Sequence, residues 1–122
     1  MIIKSSQRTN AKQLSSHLMS TENERAELIK SYGVYSQNVA GALAEFEATA
    51  KSSRSTKPLF HVSISPHQSE TMTEDDWQKA WSLHDEIHGL NGLQYIEVEH
   101  EKNGRAHRHR VYNRVNPETG KP

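Results

Sequence analysis

A chain of 122 residues with 33% hydrophobic content makes one domain with a thin core, and its 15 basic against 15 acidic side chains exclude a strongly basic nucleic-acid coat. The absence of cysteine excludes a disulfide scaffold, a thiolate nucleophile and a zinc finger. No apolar run approaches the ~20 residues of a membrane span and residues 1–4 are too short for a signal peptide, so a small soluble intracellular protein is expected.

Residues 1–4 predict a short strand, followed by a polar loop over 5–9. Asn10 is placed to cap a helix reaching about Ser20, with Leu14 and Leu18 one turn apart on one face. A second strand is expected over 27–34. Ser36 is placed to cap a second helix, in which Val39, Leu43, Phe46 and Ala50 form an amphipathic stripe. A Ser/Thr-rich basic loop spans 51–57, suited to a phosphate contact or a solvated connection. Phe60, Val62 and Ile64 alternate with His61, Ser63 and Ser65, the pattern of a half-buried strand ending at Pro66. Thr73 with Glu74, Asp75 and Asp76 starts a third helix, whose packed side holds Trp77, Ala80, Trp81, His84 and Ile87, and Gly89 suits its end. Two more strands follow over 94–100 and 107–115. The order β-α-β-α-β-α-β-β predicts an α+β fold, with helices packed on a mainly antiparallel sheet, as a single domain over 1–122.

Charge is unevenly spread. Residues 61–99 carry one basic and eight acidic side chains, whereas residues 100–122 carry six basic and two acidic. Both ends of the chain could meet a polyanion while the acidic middle faces water; an ordinary mixed-charge surface is the alternative.

The last hairpin is legible residue by residue. Asn103-Gly104 favours a two-residue type I′ turn, which sets Lys102 opposite Arg105 and His100 opposite His107. The same register pairs Glu99 with Arg108 and Glu97 with Arg110, so turn chemistry and charge complementarity select one answer. One face then carries the charge pairs, and the other carries Ile96, Val98, Val111 and the three histidines His100, His107 and His109. Neutral imidazoles so placed can hold a divalent cation with positions left open for water or a phosphate oxygen; a merely polar strand is the alternative. His84 and His88 also sit one turn apart on a helix, but Asp85 stands where a zincin needs glutamate. Packing beside Trp77 and Trp81 is expected for both, and a surface position for His61 and His67.

The stretch from His100 to Val115, with its His-x6-His-x-His run and Asn113-Arg114, resembles the third motif of plasmid relaxases of the MobA/VirD type. Met1-Ile2-Ile3-Lys4, Gln13-Leu14, His17-Leu18 and Glu22-Asn23-Glu24 resemble the start of those domains. Lys57-Pro58-Leu59-Phe60-His61-Val62-Ser63 is similar to their internal strand, and Trp77 to their following helix. The resemblance implies an HUH endonuclease that nicks single-stranded DNA at a transfer origin and stays attached to the 5′ phosphate. It implies a divalent metal, Mg²⁺ or Mn²⁺, on His100, His107 and His109, although imidazole ligands also suit Zn²⁺. DNA contacts are expected from Arg8, Arg105, Asn113 and Arg114, the last two alternatively bracing the site. A bacterial cytoplasmic location and accessory mobilization proteins belong to the same picture.

Many relaxases attack with a tyrosine near the chain start. The matching place here is His17, expected to attack through nitrogen, or else to be a half-buried helix residue beside Leu14 and Leu18. Tyr32 and Tyr35 are the fallback nucleophiles. Lys102 stands where the family often has an acid, and Arg108 and Arg110 replace commonly apolar neighbours of the last histidines. These arginines are expected to pair with Glu97 and Glu99 on a wet face or to contact DNA. The chain stops soon after this motif, as a minimal module or a truncated domain would. Two rival readings remain: an inactive relaxase remnant that binds single strands through basic charge and stacking groups such as Tyr112, and a His-rich metal-binding interaction protein.

Overall fold

A computed structural model describes residues 1–20, 25–51, 57–67 and 69–115. The Glu22-Asn23-Glu24 stretch, most of the basic loop over 51–57 and the tail from residue 116 lie outside the described residues.

Eight elements follow in the predicted order: β1 (Ile2–Arg8), α1 (Ala11–Leu18), β2 (Arg25–Tyr32), α2 (Val39–Lys51), β3 (Leu59–Ser65), α3 (Glu74–His88), β4 (Tyr95–Lys102) and β5 (Arg105–Asn113). The strands form one sheet in the order β1-β3-β5-β4-β2, and every neighbouring pair is antiparallel. The fold is α+β, with three helices packed on the sheet. No helix among the described residues is long and apolar enough to cross a membrane.

Local chemistry explains the helix starts. The Asn10 side chain accepts from the Gln13 backbone N–H at 2.9 Å and caps α1. Helix α2 is capped by Asn38 rather than by Ser36: the Asn38 side chain accepts from the Gly41 N–H at 2.7 Å. The Ser36 and Tyr35 N–H groups turn instead to the Glu45 carboxylate. Thr73 and Asp76 form a reciprocal capping box on α3, and Gly89 ends it in the left-handed conformation, φ 66°.

Both faces of the sheet are covered. Helices α1 and α2 bury Leu14, Leu18, Leu43 and Phe46 against Leu59, Ile96, Val98 and Val111. Helix α3 lays Trp77 and Trp81 over Val62, Ile64 and Tyr112 on the opposite face. β3 is therefore buried on both sides, with His61 turned toward α1, rather than half-buried with His61 at the surface. Ile87 departs from the predicted packed side of α3 and is 68% exposed. His84 is buried as expected, whereas His88 is exposed, its ring tilted at 45° to that of His84 with 4.6 Å between centroids.

Strand boundaries also differ, β4 for one running on to Lys102 at the turn. β1 continues through the predicted loop to Arg8, because it is an edge strand held by backbone pairing to β3 and needs no apolar alternation. β2 begins two residues earlier than expected and carries a bulge between Leu28 and Lys30, which breaks the period-2 pattern. β5 runs from Arg105 to Asn113, taking in the two residues beyond the turn.

Candidate metal centre

The β4–β5 register is the predicted one: Lys102 faces Arg105, His100 faces His107, Glu99 faces Arg108, Val98 faces His109 and Glu97 faces Arg110. Asn103 and Gly104 turn the chain with φ 55° and 73°, the left-handed pair a type I′ turn requires. That turn fixes which side chains share a face, and so it assembles the histidines.

One ring nitrogen each from His100, His107 and His109 lies within 4.8 Å of the other two. The ring centroids are 4.3 Å apart for His100 and His109, and 5.2 Å apart for His107 and either of the others. Hydrogen bonds decide which nitrogens are available. Nε2 of His100 lies 2.5 Å from the Leu18 carbonyl at the end of α1. A carbonyl only accepts, so Nε2 carries the proton and Nδ1 keeps its lone pair. Nδ1 of His109 is 2.7 Å from Nε2 of His61, and Nε2 of His109 is buried with no hydrogen-bond partner among the described residues. An orphaned imidazole nitrogen beside two further imidazoles is the donor set a divalent cation takes.

Electrostatics keep these rings in the ligating state. Burial, with the neighbouring rings adding to it, pushes His109 down to about 2. Burial and then the Arg8 guanidinium push His61 down to about 4. His100 and His107 are also lowered, again mainly by burial. All four are neutral near pH 7, with lone pairs to offer.

His17 is exposed on α1, not half-buried, and its ring lies 6.3 Å from that of His61 between centroids. It therefore stands at the rim of the cluster. Arg105 is exposed at the start of β5 and lines, with Lys102, Met1, Ile2, Pro66 and His107, a cleft of about 320 Å³ beside the triad. Arg8 ends β1, its Nε donating to Ser6 Oγ at 3.1 Å. Arg114 is half-buried, its backbone N–H donating to the Pro58 carbonyl at 2.8 Å. Asn113 is fully buried, its amide donating to Gln94 at 2.9 Å and accepting from the Val115 N–H at 3.1 Å. That arrangement, in a side chain wholly buried, suits the bracing alternative for Asn113.

The opposite face corrects two expectations. Arg108 and Arg110 do not lie on a wet face or reach outward; both are buried beneath α3. Arg108 donates to Glu97 at 3.0 Å, to Glu99 at 2.8 Å and to Glu74 in the first turn of α3. Arg110 donates to Glu97 at 2.8 Å and Asp85 at 3.2 Å. Their guanidinium groups stack over Trp77 and Trp81, 4.8 and 4.7 Å from the ring centroids. Burial works against the Arg108 charge, yet hydrogen bonds to Glu74 and Glu99 hold its pKa above the usual arginine range. Two members of the acidic middle, Asp85 and Glu97, are consequently buried rather than facing water. Tyr112 is also fully buried, its hydroxyl donating to Asp85, and offers no stacking surface to a strand of DNA.

Sequence reasoning missed His61. Its neighbours Ser63 and Ser65 made its side of β3 look solvated. Only the strand order, which pairs Ser63 with His109 and His61 with Val111, brings it to the centre. Tyr32 and Tyr35 are both exposed, Tyr32 stacked on Tyr95 at 5.9 Å.

A family model described as relaxase, MobA/VirD2-like, nuclease domain, matches residues 10–122. Neither a curated protein nor a solved structure matches the chain.

Proposed function

The chain belongs to the MobA/VirD2-like relaxase nuclease family, and we propose that it nicks single-stranded transfer-origin DNA by metal-dependent transesterification, as a single bacterial cytoplasmic domain working with accessory mobilization proteins. The observation that carries this reading is the pairing of an orphaned Nε2 on His109 with a cluster in which His100, His107 and His109 each bring one ring nitrogen within 4.8 Å of the others. These three rings would hold the cation, Mg²⁺ or Mn²⁺ by family resemblance, with Zn²⁺ equally suited to imidazole. Once bound, such an ion neutralises charge on the scissile phosphate and orients it for in-line displacement.

His17 is the nucleophile in this reading. A neutral ring nitrogen of His17 attacks phosphorus, the P–N bond forms and the bond to the 3′ oxygen breaks. The 3′ oxygen leaves as a hydroxyl after taking a proton, the ring gives up its own, and the 5′ phosphate stays on the enzyme. Exposure of His17 at the rim of the cluster supports this role. Arg105 would hold backbone phosphate in the cleft beside His107, with Arg8 and Arg114 as further cationic contacts.

The test is cleavage of a labelled pool of single-stranded oligonucleotides with Mg²⁺, Mn²⁺ or Zn²⁺, followed by a denaturing gel and mass analysis. A phosphoramidate adduct on His17, lost in His17→Ala while DNA binding persists, is the expected result. An undiminished adduct in His17→Ala would move the nucleophile to Tyr32 or Tyr35. Binding without cleavage under all three metals would make the chain an inactive remnant.

A further inference from the structure

We infer that His61 is a positioning residue of the metal centre: it accepts a hydrogen bond from Nδ1–H of His109 and so keeps the Nε2 lone pair of that ring for the cation. The inference rests on the metal-dependent reading above and assigns a role to a residue outside the ligand triad. His61 and His109 are both buried, 7% and 8% exposed, with Nε2 of His61 2.7 Å from Nδ1 of His109. Their rings lie nearly parallel, 22° between planes and 5.0 Å between centroids.

Two proton arrangements fit that contact, and they differ in consequence. If His61 donates, the His109 proton sits on Nε2, a buried N–H without an acceptor. If His109 donates, its buried Nε2 carries a free lone pair on a ring that belongs to the three-histidine cluster, the form a ligand needs. Metal-bound histidines generally give their second ring N–H to an oxygen acceptor that fixes tautomer and ring orientation. His100 does this through the Leu18 carbonyl, and His61 supplies the same service to His109 with an imidazole nitrogen. Both acceptors are neutral, so neither places a negative charge behind its ligand. His61 also neighbours His17, which puts one side chain between the proposed nucleophile and a ligand ring.

The test uses the full chain, wild type, His61→Leu and His61→Gln. Leu fills the space without an acceptor, and Gln returns an oxygen near the place of Nε2. Long-range ¹H–¹⁵N correlation on the metal-free wild type is expected to find the His109 proton on Nδ1; a proton on Nε2 would overturn the inference without any variant. Titration calorimetry with Mn²⁺ and Zn²⁺ is expected to give about 10–100-fold weaker binding in His61→Leu and recovery to within about threefold in His61→Gln. Unchanged affinity in a folded His61→Leu would also overturn it. Should the wild type bind neither metal, the metal reading fails on its own, and the His109 tautomer still decides whether His61 is its acceptor.

Discussion

At the scale of single residues, burial acts most directly through protonation. His109 and His61 are pushed from an ordinary value of 6.5 to about 2 and about 4. Because the folded pKa is the lower one, the unfolded chain binds more protons at acid pH. The neutral rings therefore cost nothing above pH 6.5, and stability falls as pH drops from 6.5 through 4 and on toward 2. Two such groups give a slope on the order of 2–3 kcal/mol per pH unit between pH 6.5 and 4. Urea unfolding of the chelator-treated chain is expected to show midpoints dropping steeply across that window, with about half the slope in His61→Leu. A flat profile would mean that the rings are hydrated. The three clustered histidines were legible in the sequence because one hairpin holds them all, whereas His61 lies on another strand. Its place depended on which strand lay beside β5, and no local pattern in residues 59–65 carries that information.

Between elements, α3 and the β4–β5 hairpin are joined by charge as well as by tryptophan. Glu97 is 2% exposed and shared by Arg108 and Arg110, while Glu27 meets Arg25 at the surface, 2.5 Å away. Removing Glu97 leaves two buried guanidinium groups short of a partner, so Glu97→Ala is expected to cost about 3–5 kcal/mol. Glu27→Ala removes an exposed pair and is expected to leave the urea midpoint nearly unchanged. Equal losses in paired urea titrations would show that water reaches the network. The same residues explain what the sequence revealed of the elements. Asn103-Gly104 and the Glu/Arg complementarity fixed the hairpin register, since both are local signals. They said nothing of the layer above, where α3 covers Arg108 with Glu74 and Trp77 and covers Arg110 with Asp85 and Trp81. β1 and β2 lost definition for simpler reasons: an edge strand with polar side chains, and a bulge that interrupts alternation.

For the whole molecule, a cation held by the proposed centre would be thermodynamically linked to the fold. A ligand that binds only the folded chain stabilises it by about 2.7 kcal/mol at 100 times its Kd. For a domain of this size that corresponds to a melting temperature higher by roughly 10 °C. Saturating Mn²⁺ or Zn²⁺ is expected to raise the wild-type melting temperature accordingly, and excess chelator to reverse the rise. His107→Ala alters the least buried of the three proposed ligands and is expected to stay folded but to lose the shift. An equal shift in that variant would place the ion elsewhere.

The strand order has a consequence for how the molecule comes into being. β5 is the middle strand of the sheet and the last of the eight elements to leave the ribosome. Until it emerges, β1–β3 and β2–β4 are separate two-stranded ribbons, each too small to hold together in water. All three helices must then wait, with their apolar faces uncovered, for a strand that joins the two halves. Folding is therefore expected as a late and concerted event, and the three-histidine cluster cannot assemble on the nascent chain until β5 is made.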